Sequence, residues 1–148
     1  MSKFQPRNPD FESNIRERLK GQHFMHLMGF DLQSIKAGEI IGQMELEKHH
    51  LQQFSYVHGG VTATILDITM GFAAFSLVPV GFGTVTANIS VDYFYPGQGE
   101  KIMAIGKVEK AGKSIMFCTG EVYTINKGER KLIATARSVM AVVDAKNH

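Results

Sequence analysis

A chain of 148 residues, 44% hydrophobic and 20% charged, has the balance of one globular domain with a full core. A net charge of +2, with no basic stripe interleaved by aromatics, argues against a nucleic-acid partner. One cysteine, Cys118, excludes an internal disulfide and fits a reducing compartment.

Met1 to Asp10 is polar, carries two prolines and has no apolar signal core. No uncharged apolar run reaches the roughly 18 residues of a membrane helix. Even Val57 to Val80 is interrupted by His58 and Asp67. The expectation is a cytoplasmic protein without a membrane partner, one domain over residues 1–148, with 1–9 as a disordered arm.

Asp10 is placed to cap a short helix through Leu19, with Ile15 and Leu19 on one face, stopped by Gly21. His23 to Met28 suits another turn. Gly29 to His49 reads as a hairpin about Lys36-Ala37-Gly38-Glu39, its second strand alternating from Ile41 to Lys48. Residues 59–78 predict a helix with almost no polar face, which other structure must cover on most sides, ended by Pro79 and Gly81. From Gly83 the period becomes two. Val85, Ala87, Ile89, Val91 and Tyr93 define one face until Pro96-Gly97. Three more strands fall near 101–110, 114–126 and 130–143, turned by Ala111-Gly112 and Asn126-Lys127-Gly128. A lone apolar helix beside consecutive strands predicts an α+β fold, with the sheet curled around the helix.

Two features point to chemistry. His58-Gly59-Gly60 opens the long helix, where the first amides lack internal partners and the dipole is positive, as an oxyanion needs. The plain alternative is a glycine turn. Asp67 is the only charged residue between His58 and Asp92 and sits mid-helix among Ile65, Leu66 and Ile68. A carboxylate there is costly unless paired or useful. The plain alternative is a structural acid bonded to a backbone group.

HGGVTATILD, with the acid nine residues after the histidine, resembles the hotdog-fold acyl-CoA thioesterases of the phenylacetate-degradation type, in the 4-hydroxybenzoyl-CoA thioesterase superfamily. The resemblance covers roughly residues 25–143. It implies a hotdog fold, a curled antiparallel sheet around one central helix, and hydrolysis of an acyl-CoA to a carboxylic acid and CoA. It implies Asp67 as general base or nucleophile and the Gly59 amide as oxyanion donor, with Gly60 beside it. His58 would orient the loop or touch substrate. Gln52 stands where relatives often have an asparagine contacting substrate or water, and Ser55 where they usually have glycine. Thr86, or Thr84, matches a hydroxyl near the attacking water. Gly112, Lys113 and Ser114 match the hairpin bordering the nucleotide, and Met70 and Phe75 are candidates for an acyl tunnel. No metal or organic cofactor is called for, because a thioester is already activated and thiolate leaves well.

Helix geometry adds a constraint. Gly59 and Asp67 lie about 12 Å apart along the axis at roughly 1.5 Å per residue, too far to act on one carbonyl. Two antiparallel copies supply both groups at each of two sites, a homodimer with shared sites and room for a tetramer of two dimers. Other candidates are weaker. His49 and His50 are expected on opposite faces of a strand end and Cys118 in the core; Lys107, Lys110 and Lys113 could meet CoA phosphates, the plain alternative being a solvated basic hairpin end. Two rival functions share the fold, a non-catalytic acyl-CoA binder and a dehydratase. The binder has no reason to keep Asp67 beside a thioester, and the dehydratase's proline-rich histidine loop is missing.

Overall fold

A computed structural model describes residues 3–147. Helices α1 (Phe11–Leu19) and α2 (His23–Met28) precede a hairpin of β1 (Asp31–Lys36) and β2 (Glu39–Glu45). The long helix α3 (Gly59–Phe75) follows, then β3 (Phe82–Tyr93), β4 (Lys101–Ala111), β5 (Ile115–Asn126) and β6 (Glu129–Asp144). The strands form one antiparallel sheet in the order β1-β2-β4-β5-β6-β3, so β3 is an edge. Among the described residues no helix is long and apolar enough to cross a membrane.

The apolar length of α3 buries Ile65, Leu66, Met70, Ala73 and Ala74 completely, and the sheet supplies the matching inner face through Ile40, Ile102, Ala104, Met116, Val122 and Met140. Helix and sheet meet most closely at Gly106 of β4 and its cross-strand partner Gly120 of β5. A Cβ on Gly106 would lie 2.4 Å from the Thr69 carbonyl carbon, and one on Gly120 2.8 Å from Leu66 Cδ2. At Gly106, where the neighbour is helix backbone, only glycine admits such an approach.

The helix ends at Phe75 rather than at residue 78. There the Ser76 hydroxyl donates back to the Ala73 carbonyl at 2.6 Å and accepts the Gly38 amide at 2.7 Å, tying the β1–β2 turn to the helix end. The expected turn at Asn126-Lys127-Gly128 is present, with Lys127 and Gly128 both at positive φ, as a two-residue hairpin turn of this hand requires.

Several expectations are corrected. Residues 3–9 of the expected arm lie on the domain (Met1 and Ser2 are outside the described residues): Phe4 packs on the core, Asn8 is buried, and Lys3 pairs with Glu109. Asp10 precedes α1 without capping it through its side chain. Asn8 Oδ1 accepts the Asp10 amide instead. His49 and His50 occupy a short 3-10 turn, Lys48–His50, because β2 ends at Glu45. His50 is buried with both ring nitrogens committed, Nδ1 accepting the Glu47 amide at 3.0 Å and Nε2 donating to the Met28 carbonyl at 2.7 Å.

The alternation expected through β3 also breaks. Ala87 is an extra residue in a bulge between Thr86 and Asn88. Before it Thr84 and Thr86 turn toward α3, after it Ile89 and Val91 do, and Val85 is left exposed. Bulges commonly re-aim side chains in this way.

Candidate active site

His58 caps α3 with its ring: Nδ1 accepts the Gly60 amide at 2.9 Å. The His58 carbonyl takes the Val61 and Thr62 amides at 2.9 and 3.3 Å. The Gly59 amide alone of this first turn has no partner among the described residues. It therefore stands as a free donor at the positive end of a 17-residue helix. The Gly59 carbonyl accepts the Tyr93 hydroxyl at 2.7 Å, from the far end of β3.

Asp67 lies two turns on and is half-buried rather than enclosed, so in the single chain it keeps solvent contact. Thr86 donates to its Oδ1 at 2.6 Å. Thr84 donates instead to the Gly71 carbonyl at 3.2 Å. Asp67 and Thr86 line a cleft of about 360 Å³ with Gly71, Phe72, Phe75 and Met140. Arg18 of α1 closes one side, its guanidinium 5.2 Å from the centre of the Phe75 ring.

Gly59 belongs to a different cleft of about 370 Å³, shared with Gln52, Tyr56, Tyr93, Phe94 and Tyr95. The two halves of the expected chemistry are thus held apart within one chain. Gln52 sits in a tight loop closed by the Leu51–Val57 bridge. Its side-chain oxygen accepts the Phe54 amide, which fixes the side chain in the loop. Ser55 in this loop has φ of 65°, a conformation that favours glycine.

The remaining candidates divide. Lys113 and Ser114 line a cleft of about 440 Å³ with Arg7, Phe82 and Val142, while Gly112 makes the turn, its amide bonded to the Ile115 carbonyl at 2.9 Å. Lys107 is elsewhere, paired with Glu39 at 3.8 Å beside Lys3 and Phe4, and does not line the cleft of Lys113. Phe75 does line the Asp67 cleft, but Met70 does not. Met70 is fully buried against Gly120, on the sheet side of α3. Cys118 is buried beside the Met70 carbonyl, its thiol pushed up to about 11 by burial, which rules it out as a nucleophile near neutral pH. Among the described residues no three of His, Cys, Asp and Glu converge as metal ligands would.

Tyr93 escaped the sequence reading, because alternation puts it on the face opposite Thr86. Arg18 escaped it as one more basic residue on a charged helix face.

The family model of the thioesterase superfamily matches residues 54–131. Human acyl-coenzyme A thioesterase 13 is 30% identical over 125 residues, covering 83% of this chain and 87% of that protein. Among solved structures, a thioesterase family protein from Silicibacter pomeroyi superposes with a TM-score of 0.89 at 25% identity, covering 90% of this chain and 98% of that one. The PaaI protein of the phenylacetic acid degradation operon of E. coli superposes with a TM-score of 0.80 at 20% identity over 91% of this chain and 94% of that one, a likeness of fold.

Proposed function

The chain belongs to the thioesterase superfamily, and from that premise we propose that it hydrolyses acyl-CoA thioesters to the carboxylic acid and free CoA at two sites shared between paired copies. That it is a thioester hydrolase follows from the family. The assignment of residues rests chiefly on one observation, that Asp67 and the free Gly59 amide occupy separate clefts of one chain.

In this reading two chains pair through their β3 edges, with their α3 helices antiparallel. Asp67 of one copy then meets Gly59 of the other across one thioester carbonyl. Thr86 holds Oδ1 of Asp67, leaving Oδ2 to take a proton from water. The oxygen of that water bonds to the carbonyl carbon, and the carbonyl electron pair moves to oxygen, where the Gly59 amide and the helix dipole stabilise it. Collapse breaks the C–S bond, and the thiolate leaves and takes up a proton to give CoA. Arg7 and Lys113 supply positive charge to the cleft at the hairpin that the resemblance assigns to the nucleotide end. Phe72, Phe75 and Met140 give the Asp67 cleft apolar walls for an acyl group. The single unpaired cysteine supports a cytoplasmic location.

The test is a panel of acyl-CoAs with a thiol-trapping dye, run on the wild type and on Asp67→Asn. At least one acyl-CoA should release CoA, and Asp67→Asn should fold normally while losing about 100-fold or more in turnover. A folded wild type that binds acyl-CoA without releasing thiol would make the protein a binder. A fully active Asp67→Asn would remove the acid from the mechanism. Single-turnover hydrolysis in ¹⁸O-water adds a test for direct attack, because ¹⁸O found in the Asp67 carboxylate requires an anhydride between that residue and the acyl group, whereas a general base leaves Asp67 unlabelled and puts one ¹⁸O in the acid.

A further inference from the structure

The amide assigned to the oxyanion lies in a pair of consecutive glycines, the residues with the most backbone freedom to lose on ordering. Left to itself, such a segment would sample many orientations of its N–H groups. The peptide unit joining Gly59 to Gly60 is nevertheless held at both ends. Its N–H donates to His58 Nδ1 at 2.9 Å, and its carbonyl accepts the Tyr93 hydroxyl at 2.7 Å. Tyr93 also flanks Gly59, three of its atoms lying 3.6 Å from where a Gly59 Cβ would stand. The two anchors come from different places, one from the helix cap and one from the opposite end of an edge strand. What they leave free is the neighbouring amide of Gly59.

We propose that Tyr93 is a positioning residue for thioester hydrolysis: its hydroxyl, acting with the His58 ring, fixes the Gly59–Gly60 peptide so that the Gly59 N–H is aimed before substrate arrives. The inference rests on Gly59 being the oxyanion donor. Pre-aiming matters because a donor that need not reorganise during the reaction stabilises developing charge at full strength. Burial raises the Tyr93 phenol above its ordinary value of 10.0, so it remains a donor throughout the neutral range. The hydroxyl bonds to the protein backbone and not to the reacting atoms. Its loss should therefore weaken the transition state while leaving ground-state binding intact.

Tyr93→Phe removes the hydroxyl and keeps the ring. It should lower kcat about two- to tenfold, the range of one neutral hydrogen bond, with KM changed less than twofold. Two CoA analogues separate aiming from general damage. A trifluoromethyl-ketone analogue, which hydrates to a tetrahedral oxyanion mimic, should bind more weakly by about the same factor as kcat falls. A thioether analogue with no carbonyl should bind Tyr93→Phe and wild type alike. Tyr93→Leu, which loses ring and hydroxyl together, should show the same split with a larger fall in kcat. Unchanged kcat in Tyr93→Phe overturns the inference, and so does equal weakening of both analogues. Either result leaves the hydrolase reading standing, because that reading is decided by thiol release from the wild type and by Asp67→Asn.

Discussion

Thr86 and Tyr93 stand seven residues apart on one strand, yet both side chains reach the same helix, one at Asp67 and the other at Gly59. An odd separation in a regular strand places two side chains on opposite faces. The bulge at Ala87 adds the one residue that returns Tyr93 to the side of Thr86. One irregularity in β3 thus serves both the acid and the start of α3.

The Thr86 contact is the first to test. A hydrogen bond to a charged acceptor contributes roughly 1.5–3 kcal/mol, and each 1.36 kcal/mol lost from the transition state costs about a factor of ten. Thr86→Val should therefore lower kcat by about tenfold or more with little effect on folding. Thr86→Ser, which keeps the hydroxyl, should recover most of it. Steady-state kinetics on the pair decides the matter, and equal activity in the two variants would deny the hydroxyl a role.

Shared sites predict complementation. Gly59→Pro deletes the free amide at the first helical position, where proline is well tolerated and where no intrahelical bond is lost. Mixed with Asp67→Asn and refolded together, about half of random dimers carry one copy of each variant. Each mixed dimer has one site with both lesions and one with neither. Two inactive preparations should thus regain about a quarter of wild-type activity after co-refolding. Verified mixed dimers that stay inactive would show that each chain supplies its own pair.

The seat of α3 on the sheet can be probed at two glycines. Gly106→Ala would thrust a methyl into the Thr69–Met70 backbone, with contacts of 2.4–2.6 Å that cannot relax without moving the helix. The expected cost is about 3 kcal/mol, the upper end of overpacking penalties. Gly120→Ala meets the tip of Leu66 and the Met70 sulfur, which can swing aside, so about 1 kcal/mol is expected. Thermal unfolding should show Gly106→Ala melting well below Gly120→Ala, and the reverse order would contradict this account of the contact.

Stability should fall at alkaline pH in a way that depends on Cys118. Burial raises its thiol from an ordinary 9.0 to about 11, so the folded chain holds this proton more tightly than the unfolded one. The stability linked to it is complete below pH of about 9 and is lost as pH rises through about 11. Tyr93 and Tyr123 are raised as well and act with the same sign. Denaturant titrations from pH 8 to 11 should show a shallower loss in Cys118→Ala than in the wild type, whatever the variant does to absolute stability. Parallel curves would remove Cys118 from the effect.

Periodicity carried much of this fold. The apolar run of α3, the turn at Lys127-Gly128 and the succession of strands were legible because local chemistry and tertiary placement agree there. Asp67 and the glycine pair stood out for the opposite reason, as residues that break the pattern around them. Tyr93 was hidden because the parity of β3 is reset by a bulge whose residue, Ala87, has nothing unusual about it. His50 was misplaced because its backbone conformation depends on bonds to Glu47 and Met28, which no local pattern announces. The left-handed backbone at Ser55 gives a physical reason for the glycine of relatives at that position, and only the structure shows it.

The edge position of β3 carries a hazard for the lone chain. From Phe82 to Tyr93 the strand has no lysine and no proline, and Asp92 is its only charge. Strand edges with free backbone groups and few charges recruit other strands without regard to identity, and a single bulge is modest protection. Val85, at 53% exposure, adds an apolar side chain to that edge. A newly made copy therefore carries a sticky margin until something covers it. Covering it with a second copy of the same strand would protect the chain from aggregation by the same contact that is proposed to bring the two halves of each site together.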